Sequence, residues 1–246
     1  MERKEFLKRG FGSLLGVTAI APLLNACKNA AVDPIATTTG SSGSTNGSSP
    51  GDCRVTATET AGPFPTKVPV NFVRKDIRDD RTGVVMTMNI TVKNARISCA
   101  ALAGAIVDVW HCDKDGYYSE YGGSGMQSMN LTGVDFLRGR QTTDANGLVS
   151  FTSIFPGWYS GRAPHIHVHI YSAAGKSLLV TQVAFPYSVS NAVYTTGQTL
   201  GYTKGAQDTL SERDNVFSDG FTTELATLSG SVSAGYVLSH TIVVTV

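Results

Sequence analysis

The segment that most strongly constrains the architecture of this chain spans residues 157–169 and reads Gly157-Trp158-Tyr159-Ser160-Gly161-Arg162-Ala163-Pro164-His165-Ile166-His167-Val168-His169. From His165 onward, imidazole and aliphatic side chains alternate, which predicts a β-strand with imidazoles on one face and aliphatic groups on the other. Pro164 has no backbone N–H to donate and suits a strand entrance. Such a strand suits a metal site built on a rigid element. The simpler alternative is a surface strand whose histidines face water.

The composition indicates a globular domain that does not bind nucleic acid. Of the 246 residues, 41% are hydrophobic and 16% are charged, and the formal net charge is +1. Without a basic stripe, nucleic acid is a poor candidate partner. The first 50 or so residues differ from the remainder, so about 195 residues are left for folded structure, which is enough for one sizeable core.

Short alternating segments separated by turn residues predict an all-β sandwich with long loops and little helix. No long amphipathic helix is visible, and residues 122–131 and 187–205 are interpreted as loops. Thr143–Gly147 is predicted to be a hairpin-type turn, and Gly205–Arg213 one or two helical turns. Besides the histidine strand, the predicted strands are Val84–Ile97, Ala105–Trp110, Leu148–Phe155, Ser177–Phe185, Phe221–Leu228 and Tyr236–Val246.

The N-terminus carries export signals. Basic residues in positions 1–9 precede an apolar segment of about 15 residues, which is too short to span a membrane and is typical of a signal peptide. Arg3-Lys4 resembles a twin-arginine signal with Lys in the second place, so the export route stays open. Leu24-Asn25-Ala26-Cys27 resembles a lipobox, which predicts cleavage before Cys27 and a lipid anchor on its thiol. The alternative is an ordinary signal peptide with an incidental cysteine.

These signals divide the chain into three parts. Residues 1–27 are predicted to be a signal peptide with lipobox, residues 28–52 a flexible tether rich in Ser, Gly and Thr, and residues 53–246 the folded domain. We expect the protein to be exported to the cell envelope or periplasm, with a lipid anchor as its only membrane contact. Because export permits disulfides, three later cysteines can form one pair, and the spacing favours Cys99 with Cys112 over a pair with Cys53.

A metal on the histidine strand needs ligands besides His165 and His167. The sequence offers Tyr159 on the loop entering the strand and the pair Tyr117 and Tyr118 after a glycine turn. A free phenol has a pKa of about 10 and binds as an anion only to a strongly Lewis-acidic ion. Fe(III) meets that requirement better than Zn(II).

Several motifs in the correct order resemble the intradiol ring-cleaving dioxygenases, the family of catechol and protocatechuate dioxygenases. Val107-Asp108-Val109-Trp110-His111 is followed by Gly116-Tyr117-Tyr118-Ser119, which resembles a family block containing one tyrosine. Tyr159 and Arg162-Ala163-Pro164-His165-Ile166-His167 resemble the block with the second tyrosine and the histidine strand. Thr60-Ala61-Gly62-Pro63-Phe64 and Thr181-Gln182-Val183-Ala184-Phe185 resemble two further family motifs.

The resemblance implies an intradiol-dioxygenase-type β-sandwich, a non-haem Fe(III) cofactor and a function. The implied iron ligands are Tyr118, Tyr159, His165 and His167. Tyr159 would also accept a substrate proton, Arg162 would stabilise charge on the ring, and Gln182 would lie beside the substrate. The implied reaction is cleavage of a catechol-type aromatic diol by O2 to a cis,cis-muconate-type product.

Some residues and functions fall outside this interpretation. His169 matches no family ligand and is expected to lie in an outer position or in solvent; His111 and His240 are expected to be structural or on the surface. The loop between Tyr159 and His165 is shorter than in classical soluble members, which predicts a more open substrate mouth. The main alternative function is a tethered β-sandwich lipoprotein that binds a glycan or aromatic ligand without catalysis. A cupin-like H-x-H enzyme is disfavoured because no Glu follows in residues 170–174.

Overall fold

The computed structural model of the protein describes residues 53–123 and 125–246. The predicted signal peptide at 1–27 and tether at 28–52 lie outside the described residues. No helix in the described part of the chain is long and apolar enough to cross a membrane.

Two packed β-sheets form the described domain, as the sequence predicts. In chain order the strands are β1 (Val85–Asn94), β2 (Ala100–Ala101), β3 (Ile106–Trp110), β4 (Arg138–Thr142), β5 (Leu148–Ile154), β6 (His165–Tyr171), β7 (Ser177–Ala184), β8 (Thr227–Ser231) and β9 (Gly235–Val244), with one α-helix, α1 (Tyr187–Thr196), between β7 and β8. Single 3-10 turns lie at Pro69–Phe72, Ala95–Ile97, Gln198–Leu200 and Ser211–Arg213.

The first sheet has the order β2-β1-β9-β8, and β5 pairs with β1 beside β2. Its only parallel pair among the described residues is β1 with β9. The second sheet has the order β4-β3-β6-β7 and is antiparallel throughout. The histidine strand β6 is therefore central in its sheet, flanked by β3 on one side and β7 on the other.

Alternation of side chains fills the space between the sheets. Along β1, every second residue from Met86 to Val92 is fully buried while the intervening residues are partly exposed. Ile166, Val168 and Ile170 of β6 join the same core. Burial of each such side chain contributes roughly 1.5–3 kcal/mol. Since the aliphatic face of β6 is fixed in this core, its imidazole face must point to the opposite side of the second sheet.

The helix α1 and the strand β4 were not predicted. The sequence of α1 contains several Ser, Thr and Val residues, whose helix propensity is low. Burial of Val193 and Tyr194 stabilises the helix instead, and the Tyr194 hydroxyl donates to the Pro156 carbonyl at 2.9 Å. β4 has a polar sequence without alternation, and its first residue, Arg138, is buried by hydrogen bonding rather than by apolar packing.

Two of the local predictions need correction. The turn Thr143–Gly147 is not a hairpin, because β4 before it pairs in the second sheet and β5 after it pairs in the first. Residues 221–226 do not form a strand; only Leu225 makes an isolated bridge, to Ala184, and β8 begins at Thr227. The region Gly205–Arg213, predicted to form one or two helical turns, contains one 3-10 turn at its end, Ser211–Arg213.

The predicted Cys99–Cys112 disulfide is wrong. Cys53 and Cys99 form the disulfide, with Cα atoms 5.7 Å apart, and Cys112 is a buried free thiol. Cys99 lies in the turn that follows β1 of the first sheet, whereas Cys112 follows β3 of the second sheet and packs with Trp110 and Tyr118. Because the sulfur of Cys99 is already bonded to Cys53, it is not available to Cys112.

Candidate metal centre

Strand β6 presents two buried imidazoles on one face. His165 and His167 are 2% and 1% exposed, and their ring centroids lie 4.8 Å apart. The Nδ1 of His165 lies 2.6 Å from the Ala163 carbonyl oxygen, which accepts only if this nitrogen carries the proton. The Nε2 lone pair of His165 is then directed away from the backbone and is free to bind a metal.

Both predicted tyrosines converge on that same nitrogen. The Tyr118 hydroxyl lies 3.3 Å from His165 Nε2 and the Tyr159 hydroxyl lies 3.2 Å from it. The two phenol rings pack edge to face, with centroids 6.0 Å apart. Two tyrosines that lie far from each other in the sequence therefore both contact the imidazole of His165 on β6.

Close backbone packing brings the two tyrosine loops together. Gly116 has φ +89°, and a Cβ added there would lie 2.5 Å from the Trp158 carbonyl oxygen. A Cβ on Gly157 would likewise lie 2.4 Å from the Lys114 carbonyl oxygen. The carboxylate of Asp113 fixes the turn before Tyr118 by accepting from the backbone of Asp115 and Tyr117. Only glycine permits this approach of one loop to the other.

Arg162 faces the site from the loop that precedes β6. Its Nη1 lies 3.5 Å from His165 Nε2, and its Nη2 donates to Gln182 Oε1 at 2.5 Å. Its Nε lies 2.9 Å from both carboxylate oxygens of Asp214, which is fully buried. Asp214 also accepts from the Ala163 backbone N–H at 2.8 Å. This carboxylate therefore fixes both the guanidinium and the backbone entering β6.

A segment ahead of the sheets, residues 60–67, crosses the site and is called the strap below. The Thr60 carbonyl accepts from Gln182 Nε2 at 2.8 Å. Gly62 has φ +67°, and a Cβ there would lie 2.9 Å from His167 Cε1. The Phe64 ring stacks on Tyr118 with centroids 4.9 Å apart. The Trp110 ring lies parallel to the His167 ring, with centroids 4.9 Å apart.

Burial sets the protonation of the four candidate ligands. Loss of hydration, and next the Arg162 charge, lower the pKa of His165 to about 3. The pKa of His167 is lowered well below its usual value, first by burial and then by His165. Burial raises the pKa of Tyr159 to about 12 and that of Tyr118 well above 10. The imidazoles are thus neutral and suited to bind a metal, whereas the phenols require a strong cation to lose their protons.

The donor set fits an ion that binds phenolate. In the described part of the chain, no group of three or more His, Cys, Asp or Glu side chains could hold a metal. An ion bound here would therefore need the oxygens of Tyr118 and Tyr159. His167 Nδ1 is buried without a hydrogen-bond partner among the described residues, so His167 retains unused capacity for binding. Two phenols and two neutral imidazoles suit Fe(III).

The structure brings all six predicted site residues together, and His169 lies apart from them. His169 is half-buried; its Nε2 lies 2.7 Å from Ser177 Oγ and its Nδ1 lies 2.8 Å from the Tyr171 hydroxyl. His111 is buried and structural, as expected: its Nε2 lies 2.7 Å from Ser153 Oγ and its Nδ1 lies 2.7 Å from the Cys112 carbonyl. His240 is also buried.

Sequence reasoning missed two charged groups. Asp214 lies 52 residues beyond Arg162 in a polar segment that has no recognisable spacing to it. Arg138 is 1% exposed and donates to the carbonyls of Ser119 and Phe64 at 2.6 and 3.0 Å. Glu120 pairs with its guanidinium at 3.0 Å. Arg138 thereby joins the strap to the residues that follow Tyr118, a relationship visible only in the folded chain.

Known proteins share this architecture and part of this sequence. A family model described as "Dioxygenase" matches residues 65–200, more than half of the chain. Chlorocatechol 1,2-dioxygenase from Rhodococcus opacus is 31% identical over 138 residues, which cover 47% of this chain and 50% of that protein. The chain thus spans about half the length of this curated relative.

Solved structures show the same fold at lower identity. An intradiol ring-cleavage dioxygenase from Tetranychus urticae superposes with a TM-score of 0.70 at 24% identity, covering 78% of this chain and 95% of that one. A 3-chlorocatechol 1,2-dioxygenase from Rhodococcus opacus gives 0.51 at 21% identity, covering 77% and 72%. These two likenesses establish the β-sandwich, and the family match at residues 65–200 includes Tyr118, Tyr159 and the histidine strand β6. The chain therefore belongs to the intradiol ring-cleavage dioxygenase family.

Proposed function

We propose that this protein is a non-haem Fe(III)-dependent dioxygenase that cleaves a catechol-type aromatic diol with O2. The cleavage is intradiol, and the product is a cis,cis-muconate-type diacid. Family membership supports the reaction class. The observation that carries the proposal is the convergence of the Tyr118 and Tyr159 hydroxyls on His165 Nε2, with His167 beside them.

Tyr118, Tyr159, His165 and His167 would hold the iron. When bound, Fe(III) would supply a Lewis acid and a template for the diol and O2. Deep burial of Tyr118 and its stacking on Phe64 suit a permanent ligand. Tyr159 is less buried and lies on a loop, which suits a group that exchanges a proton with the substrate at its hydroxyl oxygen.

Arg162 and Gln182 would act on the substrate. Asp214 holds the Arg162 Nε, which leaves Nη1 directed towards His165 Nε2 and the ligand cluster. A fixed cation at this position stabilises negative charge that develops on the ring without reorganisation. Gln182 is held at both ends of its amide, by Arg162 and by the Thr60 carbonyl, so its orientation is fixed before substrate binds.

Iron, colour and oxygen consumption test the function. We expect purified protein reconstituted with iron to bind one ferric ion per chain and to show a visible charge-transfer band that colours it burgundy. Oxygen uptake with a panel of catechols should then identify the substrate, with ring-cleavage product detected by mass. Colourless, iron-free protein after reconstitution would contradict the proposal and favour a binding module without catalysis.

We further propose that the protein is exported and lipid-anchored at Cys27, which lies outside the described residues. A Cys53–Cys99 disulfide in the folded domain is consistent with an oxidising compartment. A Cys27→Ser variant should move from the membrane fraction to the soluble fraction of the producing cell. A variant that still partitions into membranes would count against the anchor.

A further inference from the structure

The loop of residues 122–131 closes on itself next to Tyr118. Its ends meet where the Leu131 backbone N–H donates to the Tyr121 carbonyl at 2.9 Å. Met126 and Met129 are 76% and 48% exposed, whereas Gln127 between them is 4% exposed. A buried amide between exposed neighbours must have its polar atoms satisfied by the protein.

All of the hydrogen bonds made by the Gln127 side chain go to backbone groups near Tyr118. Its Oε1 accepts from the Tyr118 N–H at 2.7 Å, and its Nε2 donates to the Tyr118 carbonyl at 2.8 Å. The same Nε2 lies 3.0 Å from the Tyr121 carbonyl and 3.3 Å from the Met129 carbonyl. The amide thus pairs with both backbone groups of one residue, as a neighbouring strand would.

Among the described residues, no strand pairs with the backbone of Tyr118. It lies outside the nine strands, between the turn ending at Gly116 and the loop starting at Gly122. The position of its hydroxyl oxygen depends on the backbone orientation, which sets the direction of the Cα–Cβ bond. The ring itself is packed by Phe64 at 4.9 Å, Tyr159 at 6.0 Å and His167 at 6.1 Å, but these ring contacts do not hold the Tyr118 backbone N–H and carbonyl. The Gln127 amide supplies the missing backbone restraint.

We propose that Gln127 is a positioning residue that holds the Tyr118 phenol at the metal centre by clamping the Tyr118 backbone. The inference rests on the proposed function, in which Tyr118 is an iron ligand. The position of Tyr118 would then also depend on the 122–131 loop, because the Gln127 side chain connects that loop to the Tyr118 backbone. Loss of an outer partner of a metal ligand typically costs 10–100-fold in metal affinity.

Gln127→Met is the test variant because methionine preserves length and volume while removing all four hydrogen bonds. We expect iron to dissociate about tenfold or more faster to a chelator, and the visible charge-transfer band to shift in wavelength, as the Tyr118 oxygen is displaced. Catalytic turnover should fall more than the KM for catechol changes. Gln127→Asn, which retains the amide but is one methylene shorter, should show the same changes to a smaller extent.

Gln207 provides a matched control. It is a partly buried amide in another loop, where it accepts from Ser190 Oγ at 2.7 Å and donates to the Thr209 carbonyl at 2.8 Å. Gln207→Met should lower thermal stability but leave the band and the iron dissociation rate unchanged. A band that shifts equally in both variants would mean that general loosening moves it, and this would overturn the positioning role of Gln127.

Hydrogen exchange of the Tyr118 backbone N–H tests the clamp without iron. In the wild-type apoprotein this proton should be protected, and Gln127→Met should accelerate its exchange at least tenfold. An unprotected proton in the wild type, or an unchanged band and iron release in a folded Gln127→Met protein, would overturn the inference. Wild-type protein that binds no iron would instead overturn the proposed function, and the exchange data would still establish whether the clamp exists.

Discussion

The Arg162 Nε lies 2.9 Å from each carboxylate oxygen of Asp214, and this pair connects the loop before β6 to a segment 52 residues later. Asp214 is fully buried, and the Arg162 side chain is 12% exposed. Breaking a buried pair by removing one partner leaves the other charge without compensation, which costs about 3–5 kcal/mol. Asp214 thus matters both for stability and for the direction of the guanidinium.

Asp214→Asn should therefore lower the turnover number at least tenfold and reduce the free energy of unfolding by about 3 kcal/mol. Iron content should remain near one per chain, because none of the four proposed ligands is removed. Urea unfolding, steady-state kinetics and metal analysis measure the three quantities. Asp80→Asn is the control, since its pair with Arg81 is exposed and is worth no more than about 1 kcal/mol. Wild-type turnover in Asp214→Asn would disprove the role of the pair.

The ligand assignment predicts a difference between neighbouring histidines of one strand. Tyr118→Phe and His165→Ala should each lose iron and the visible band, while His169→Ala should retain both, because His169 is bonded to Ser177 and Tyr171 instead. Metal analysis and visible spectra of the three variants give the answer. If His169→Ala bleaches the protein and His165→Ala does not, the assignment of ligands along β6 is wrong.

We predict that position 62 requires glycine, because any side chain there would press against His167. In Gly62→Ala the new Cβ would lie 2.9 Å from His167 Cε1, and the positive φ of +67° would cost about 1–2 kcal/mol in addition. We expect a lower melting temperature together with faster loss of iron to a chelator. Gly175→Ala separates the two effects, since Gly175 has φ +79° but no atom within 4 Å of an added Cβ. Gly175→Ala should lose stability but release iron at the wild-type rate. Equal rates of iron release from Gly62→Ala and Gly175→Ala would argue that the added Cβ at position 62 does not disturb His167.

Glu224 should make stability fall as pH rises. The side chain is fully buried, and burial, followed by repulsion from Glu59 and Asp219, raises its pKa from 4.5 to about 8. Between these values the folded protein holds a proton that unfolding releases. The stabilisation is therefore complete below pH 4.5 and is lost as pH approaches 8, at up to about 1.4 kcal/mol per pH unit.

Glu224→Gln should flatten this dependence, because the amide resembles the protonated acid and does not titrate. Melting temperatures between pH 5 and 8 measure it. Glu212→Gln changes an exposed carboxylate in the same part of the chain and should leave the slope as in the wild type. A slope that persists unaltered in Glu224→Gln would assign the effect to another group.

Reduction should destabilise the domain through one disulfide only. The Cys53–Cys99 bond joins residues 46 apart, and such a cross-link typically contributes about 2–4 kcal/mol. Adding a reductant should lower the melting temperature, and the Cys99→Ser substitution should lower it by about as much as the reductant does. Because Cys112 is a buried free thiol, Cys112→Ser should leave the reductant-induced shift in place. A Cys99→Ser protein that still loses stability on reduction would require a different pairing.

Side-chain alternation and motif order in the sequence predicted the β-sandwich and the residues of the candidate site. Alternation in β1 and β6 placed apolar groups in the core and imidazoles on the other face, and the fold was confirmed. Tyr118 and Tyr159 were found through motif order, and the structure brings them to His165. Their roles as iron ligands remain predictions.

Contacts between distant segments were not predictable in the same way. Asp214 and Arg138 are buried because they find polar partners 52 and 74 residues away, and no periodicity marks such residues. The disulfide prediction failed for a related reason, since sequence spacing cannot show that the fold brings Cys53 to Cys99, 46 residues later. The helix α1 depends on buried Val193 and Tyr194 rather than on its own propensity.

The Cys53–Cys99 bond also determines where mechanical load would enter the domain. Just after Cys53, Thr56 is hydrogen-bonded twice to Val243 of β9, and Cys99 lies in the turn that follows β1. A pull applied to the chain ahead of Cys53 is therefore carried by the covalent bond and the two central strands of the first sheet. The strap, with Gly62 against His167 and Phe64 on Tyr118, follows this point along the chain. A force from the N-terminal side therefore meets the disulfide and the first sheet before it reaches the residues that cover the candidate metal centre.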